Sequence, residues 1–109
     1  MGVAFYDNRD PLADPDTADV DRVYCLDWDR FGPAEWATLD RIYPQLPGWV
    51  EYRGVPFWFG TDEHDIPHLC ASVEPTGLQV SGVLPATDWE AWEGRFGEAI
   101  AELPGRELK

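Results

Sequence analysis

Between His68 and Leu84 the chain alternates apolar and polar side chains with a period of two. Leu69, Ala71 and Val73 alternate with His68, Cys70, Ser72 and Glu74; after Pro75-Thr76-Gly77, Leu78, Val80 and Leu84 alternate with Gln79, Ser81 and Val83. Successive side chains on a strand point to opposite faces. The pattern therefore predicts a β-hairpin with Leu69, Ala71, Val73, Leu78, Val80 and Leu84 turned to a core. Gly82 falls on the same face and predicts the close approach of a neighbour, such as a helix aromatic. The run Val20 to Trp28 has the same period, with Val23 and Cys25 on one face and Tyr24, Leu26 and Trp28 on the other, which predicts a strand covered on both sides. Val3 to Tyr6 predicts a short strand, and Trp49 to Tyr52 and Val55 to Phe59 are two short extended segments separated by Arg53-Gly54. Pro56 cannot donate to a ladder, so its segment is expected at a sheet edge, or with Pro56 as its first residue.

Two other stretches change to a helical period. After Gly32-Pro33, Trp36, Leu39, Ile42 and Tyr43 recur at spacings of three and four and stop before Pro44. Thr87-Asp-Trp-Glu90 has the capping-box pattern, and Trp89, Trp92, Phe96, Ile100 and Leu103 then form one apolar stripe opposite Glu90, Glu98 and Glu102. Pro104-Gly105 ends that helix and leaves a polar tail over 104–109. Asp7 to Asp19, with Pro11 and Pro15 among its acids, reads as an acidic loop, and Gly60 to Pro67 as a second one.

The expected order is β-β-α-β-β-β-α. It describes an α+β two-layer sandwich in which a mostly antiparallel sheet of about five short strands carries two helices on one face. A chain of 109 residues fits one domain spanning 1–109.

Composition adds the feature that bears on function. The chain has 21 Asp and Glu against 8 Lys and Arg, a net charge of -13, beside 44% hydrophobic residues and six Trp. Such a chain can bury a core and still repel nucleic acid and anionic membrane surfaces, so direct contact with either is not expected. Its expected partner is a basic protein, such as a toxin domain or a nucleic-acid-binding protein. Arg outnumbers Lys seven to one, so part of the acidity reflects Lys depletion. Cys25 and Cys70 are the only cysteines and form no CxxC, which suits reduced thiols in a cytoplasmic setting. The first residues have neither a basic nor an apolar leader segment, and no run is long and apolar enough to span a bilayer.

The candidate chemistry is sparse. His64 and His68 stand among Asp62, Glu63 and Asp65, but Ile66-Pro67 is incompatible with the helix that would bring two imidazoles together, so no metal or cofactor is expected. His68, Cys70 and Ser72 share a strand face with neighbours roughly 6.5–7 Å apart, too far for a nucleophile and its base. Asp14, Asp16, Asp19 and Asp21 fail the calcium-loop pattern, because Asp19 stands where that loop needs Gly. The leading expectation is a non-enzymatic acidic protein that neutralises a basic partner. Its form would be an immunity protein guarding a bacterial cytoplasm against a nuclease- or deaminase-type toxin, or a nucleic-acid mimic directed against a defence system. Asp14, Asp16, Asp19, Asp62, Glu63 and Asp65 would steer that partner, with Trp58 as an aromatic anchor. The alternative is a small enzyme or ligand-binding domain, with a pocket lined by Trp28, Trp49, Trp58 and Tyr52 and polar groups at His64 or His68. A third expectation is a homodimer joined through Pro56-Phe57-Trp58-Phe59 at a sheet edge.

Overall fold

A computed structural model describes residues 2–61 and 66–107. It is the expected α+β sandwich, with one strand more than expected. Strands β1 (Phe5–Asp7), β2 (Thr17–Tyr24), β3 (Trp49–Tyr52), β4 (Val55–Trp58), β5 (His68–Glu74) and β6 (Gly77–Pro85) form one antiparallel sheet in the order β1-β2-β6-β5-β4-β3. Helices α1 (Pro33–Ile42) and α2 (Ala86–Ala99) complete the order β-β-α-β-β-β-β-α. The added strand arises because the two short extended segments pair with each other, Trp49 with Trp58 through Tyr52 with Val55. Arg53 and Gly54 both have positive φ, 51° and 75°, as the tight hairpin turn between them requires.

The β5–β6 hairpin forms in the expected register, Val73 opposite Leu78 and Leu69 opposite Gly82. Leu69, Leu78, Val80 and Leu84 are fully buried and Ala71 nearly so, whereas Val73, at the end of β5, is 52% exposed and outside the core. At Gly82 the close neighbour is backbone, not a helix aromatic: a Cβ there would collide with the carbonyl of His68 and the Cα of Leu69. β2 begins at Thr17, so the acidic loop ends at Asp16. β2 also stops at Tyr24, and Trp28 lies in a single 3₁₀ turn, Trp28–Arg30, capped by the Asp27 carboxylate. The chain from Cys25 to Asp27 turns instead to meet the C-terminal segment, where Leu26 bridges Gly105, Arg106 N–H donates to Cys25 O at 2.8 Å and Asp27 N–H donates to Pro104 O at 2.9 Å. Residues 104–106 are therefore docked and are not a loose tail.

Pro33 opens α1, and the Glu35 carboxylate accepts the Gly32 N–H at 2.8 Å, satisfying a donor at the helix entrance. α2 starts one residue before Thr87. Its Ala86 N–H donates to Asp16 O at 3.0 Å, so a carbonyl of the acidic loop takes the place of the capping box expected at Thr87. The α2 stripe is buried as predicted from Trp89 through Ile100, although the helix closes at Ala99 and Leu103 is only partly covered.

The core is aromatic. The Trp92 ring meets Trp58 edge-on at 5.0 Å, stacks on Trp89 at 5.8 Å and touches Phe96 at 4.7 Å. Trp58 also meets Tyr43 at 5.6 Å and Trp49 at 5.7 Å, and its indole N–H donates to Tyr43 O at 3.1 Å. The indole N–H groups of Trp89 and Trp92 are buried without hydrogen-bond partners among the described residues, and each such donor costs on the order of 1–3 kcal/mol.

Beside Trp89 lies a feature of the core that the hydrophobic pattern does not foreshadow. Arg22, on the helix-facing side of β2, is only 4% exposed. Asp7 accepts its Nε–H at 2.8 Å, Glu93 lies 3.3 Å away, and the guanidinium sits 3.7 Å above the Phe5 ring and 5.0 Å from that of Trp89. Burial opposes the cation, but the hydrogen bonds to Asp7 and Tyr24 and the charge of Glu93 keep its pKa raised.

Trp92→Ala should lower stability by about 3–5 kcal/mol, as expected for removing a fully buried Trp. Trp92→Phe should lose distinctly less, since it keeps a ring and removes the unpartnered donor. Val73→Ala should change little. Chemical denaturation of the three variants checks all three outcomes, and equal losses at Trp92 and Val73 would contradict this core.

Candidate functional site

The acids singled out by the sequence do not form one cluster. The β1–β2 loop is shaped by its own carboxylates: Asp10 accepts the Leu12 N–H at 3.0 Å and Asp14 the Asp16 N–H at 2.8 Å. Asp14 and Asp16 are exposed and make no ion pair among the described residues. Asp19 is paired with Arg9 at 3.4 Å, and Arg9 also reaches Asp21 at 3.3 Å. A hydrogen bond from Gln79, supported by Asn8 and Arg9, outweighs partial burial and holds the Asp21 carboxyl below the usual carboxylate range. Asp62, Glu63, His64 and Asp65 lie outside the described residues.

Trp58 is a correction. It is fully buried beneath α2, so it offers no surface to a partner, and its role is to hold the core together. The expected pocket of Trp28, Trp49, Trp58 and Tyr52 does not form either. Trp28 stacks on Trp36 at 5.0 Å, meets Phe31 edge-on and donates its indole N–H to Glu74 O at 2.7 Å, in a cluster separate from Trp58. Nor do Pro56 to Phe59 lie at a sheet edge, because β3 covers β4 and the edge strands are β1 and β3. Pro56 is tolerated because β4 pairs with β5 only through Phe57 and Trp58, and Pro56 faces Glu51 beyond the end of that ladder.

His68, Cys70 and Ser72 share a strand face as expected, and none of the three is free. The Cys70 thiol lies 3.6 Å from the Ser81 hydroxyl, Ser72 donates to the Glu74 carboxylate, and His68 is buried. Cys25 is buried and unbridged, and burial pushes its thiol pKa up, away from the thiolate that a nucleophile requires. Among the described residues no group of three or more His, Cys, Asp and Glu converges on a common point.

The site that sequence reasoning missed lies where the end of α1 meets the β3–β4 hairpin. A cleft of about 310 Å³ there is lined by Asp40, Tyr43, Trp49, Glu51, Tyr52 and Pro56, among others. Asp40 and Tyr43 are three apart and come from the end of α1 and the 3₁₀ turn Tyr43–Gln45 that follows it. Trp49 and Glu51 are two apart on β3 and so share one face of it. Tyr43 and Trp49 both pack edge-to-face with the Trp58 ring, at 5.6 Å and 5.7 Å. Asp40 and Glu51 make no ion pair among the described residues. Burial, with a smaller contribution from the Asp40 charge, raises the Tyr43 pKa and keeps the phenol neutral. The i, i+3 pair on the helix and the i, i+2 pair on the strand were readable in the sequence. Their juxtaposition was not, because it follows from strand order.

Compared with known proteins, the chain matches no family model, no curated protein and no solved structure.

Alkali tests the buried phenols. Tyr24 is pushed up to about 12 by burial, against the opposing hydrogen bond from Arg22, and Tyr43 is also raised. An unfolded tyrosine titrates near 10, so both contributions are complete below about pH 10. As pH rises from about 10 to 12, the unfolded state ionises first and stability falls, on the order of 2–3 kcal/mol from Tyr24 alone. Denaturation midpoints across this range check the loss, and it should shrink in Tyr24→Phe.

Proposed function

We propose that this chain is a small acidic binding protein that neutralises a basic protein partner. In its most concrete form it is an immunity protein that protects a bacterial cytoplasm from a nuclease- or deaminase-type toxin, and a nucleic-acid mimic that blocks a defence complex belongs to the same class. The observation that carries this reading is the distribution of compensated charge. The net charge is -13, and the ion pairs of the described residues engage only Arg9 and Arg22, with Asp7, Asp19, Asp21 and Glu93. Asp14 and Asp16 on the β1–β2 loop and Asp40 and Glu51 at the cleft remain uncompensated. Such charge raises the rate of encounter with a cationic surface, and a fixed aromatic beside it supplies short-range hold. The engagement of Cys70 by Ser81 and of Ser72 by Glu74 favours binding over catalysis.

The reading predicts a partner whose association rate falls as salt rises, because exposed charges are screened beyond about 8–10 Å at physiological ionic strength. Neutralising Asp14, Asp16, Asp62, Glu63 and Asp65 to Asn or Gln should slow association at low salt and affect dissociation less. The measurement is surface-immobilised kinetics with a basic protein captured from the source cell, at low and high salt. A partner indifferent to both salt and these substitutions would leave the acidity as a solubility feature and overturn the proposal.

A further inference from the structure

We infer that the aromatic patch at the start of α1, formed by Trp28, Phe31 and Trp36 with Val73 beside it, is where the basic partner docks, through an apolar side chain set among arginines or lysines. The inference rests on the binding reading above and gives it the aromatic anchor that buried Trp58 does not supply.

The patch is assembled on a ring that the fold holds still. The Trp28 indole N–H donates to Glu74 O at 2.7 Å, which ties the 3₁₀ turn Trp28–Arg30 to the end of β5. Trp36, near the start of α1, stacks on that ring at 5.0 Å with an interplanar angle of 11°, and Phe31 meets both indoles edge-on at 4.9 Å and 5.0 Å. Trp28 and Phe31 are half-buried and pack against the core. Trp36 is 36% exposed. One face of its ring lies on Trp28, so the exposure belongs to the outer face. Val73, the neighbour of the residue that holds Trp28, is 52% exposed on the helix-bearing side of the sheet. The helix at position 36 asks only for a helix former, and an exposed indole stacked on a fixed second one marks a contact surface. Tryptophan is also enriched among the residues that carry binding energy at protein interfaces.

The rim decides which partner fits. Asp27 and Asp29 flank Trp28 and Glu35 precedes Trp36, and none of the three is in an ion pair among the described residues. Two of these carboxylates are held in place, Asp27 by the Asp29 N–H at 3.2 Å and Glu35 by the Gly32 N–H at 2.8 Å. The cations nearby are Arg30 and Arg106, and Arg106 donates to Pro75 O at 3.0 Å. Arg22 and Arg53 lie over other rings, and among the described residues no guanidinium lies over Trp28, Phe31 or Trp36. An apolar centre with a negative rim complements an apolar residue with positive neighbours. A second copy of this chain would set acid against acid, and an anionic membrane would be repelled. The occupant is therefore a basic protein.

The probe is the peptide acetyl-Arg-Arg-Leu-Arg-Arg amide, compared with the same peptide carrying Gly for Leu and with acetyl-Glu-Glu-Leu-Glu-Glu amide. Binding is followed through the Trp36 indole N–H resonance, assigned by Trp36→Phe. The first peptide should shift it saturably, the Gly peptide should bind several-fold more weakly, and the acidic peptide should produce no saturable shift. Asp27→Asn, Asp29→Asn and Glu35→Gln, which keep the polar side chains, should each weaken binding by about twofold to fivefold, the range for exposed charge pairs, and Glu90→Gln on α2 should leave it unchanged. In the complex with the basic partner, Trp36→Ala should speed dissociation by about tenfold or more and Val73→Ala by less, with the Val73→Ala denaturation midpoint near that of the unmodified protein. No saturable shift, equal binding of the Leu and Gly peptides, an equal shift from the acidic peptide, or a dissociation rate indifferent to both Trp36→Ala and Val73→Ala would overturn the inference. If the patch fails while partner association still falls with salt, the binding reading survives without this surface. If the patch takes the basic peptide and the captured partner is indifferent to charge, the binding reading fails.

Discussion

The Trp58 ring is the contact on which the other elements of this fold depend. β4 contributes only four residues and pairs with β5 through two of them, which is little ladder to hold a hairpin onto a sheet. Burial of one large ring supplies what the ladder lacks. Trp58 packs under Trp92 of α2, touches Tyr43 beyond α1 and Trp49 of β3, and donates its indole N–H to the Tyr43 carbonyl. Both helices and the β3–β4 hairpin are thereby tied to one side chain, and so are two residues of the cleft. An aromatic of this size contributes through area and edge-to-face geometry together. Its indole donor is satisfied, in contrast to those of Trp89 and Trp92, so at this position packing is gained without an unpartnered polar group.

A second constraint is the chain's excess of negative charge, which opposes compaction by self-repulsion. The fold answers it locally. Arg22 draws Asp7 of β1 and Glu93 of α2 to one guanidinium, joining an edge strand to a helix across β2, and Arg9 gathers Asp19 and Asp21. Removing either carboxylate would leave the buried guanidinium short of a counter-charge, which costs more than the pair contributes. β1 has three residues and one neighbour, and the Asp7–Arg22 pair adds to the ladder that attaches it.

The legible parts of the sequence were those where burial follows local period. Leu69, Ala71, Leu78, Val80 and Leu84 on the hairpin, and Trp89, Trp92, Phe96 and Ile100 on α2, were readable because one face of each element meets the core along nearly its whole length. Val73 breaks the rule because it sits at the hairpin end, beyond the cover of the helices. Arg22 breaks it in the other direction: a charged residue in an alternating strand reads as solvent-facing, and only the aromatic and acidic neighbours brought by β1 and α2 make its burial tolerable. Trp58 was read as an aromatic anchor, because so short a segment does not say which elements will cover it. The cleft was invisible for the same reason. Its residues lie on two elements whose adjacency no periodicity encodes, while the acids of the β1–β2 loop were conspicuous through clustering alone.

Strand order also separates the two groups of uncompensated acids. The acids of the β1–β2 loop lead into β2, with Asp16 held against the start of α2, and the cleft lies at the β3 edge; four inter-strand spacings of about 4.8 Å put β2 and β3 roughly 19 Å apart. That exceeds the screening length of about 8 Å at physiological salt, so the two groups act as separate charge centres. The loop is nevertheless held in place, since the Ala86 N–H binds Asp16 O, the Asp19 N–H binds Pro11 O and the Asn8 N–H binds Asp21 O. Two fixed centres of one sign at that spacing cannot both be engaged by a metal ion or a small molecule. A ligand that uses both must itself present positive charge across a similar breadth, which is the property of a folded basic domain.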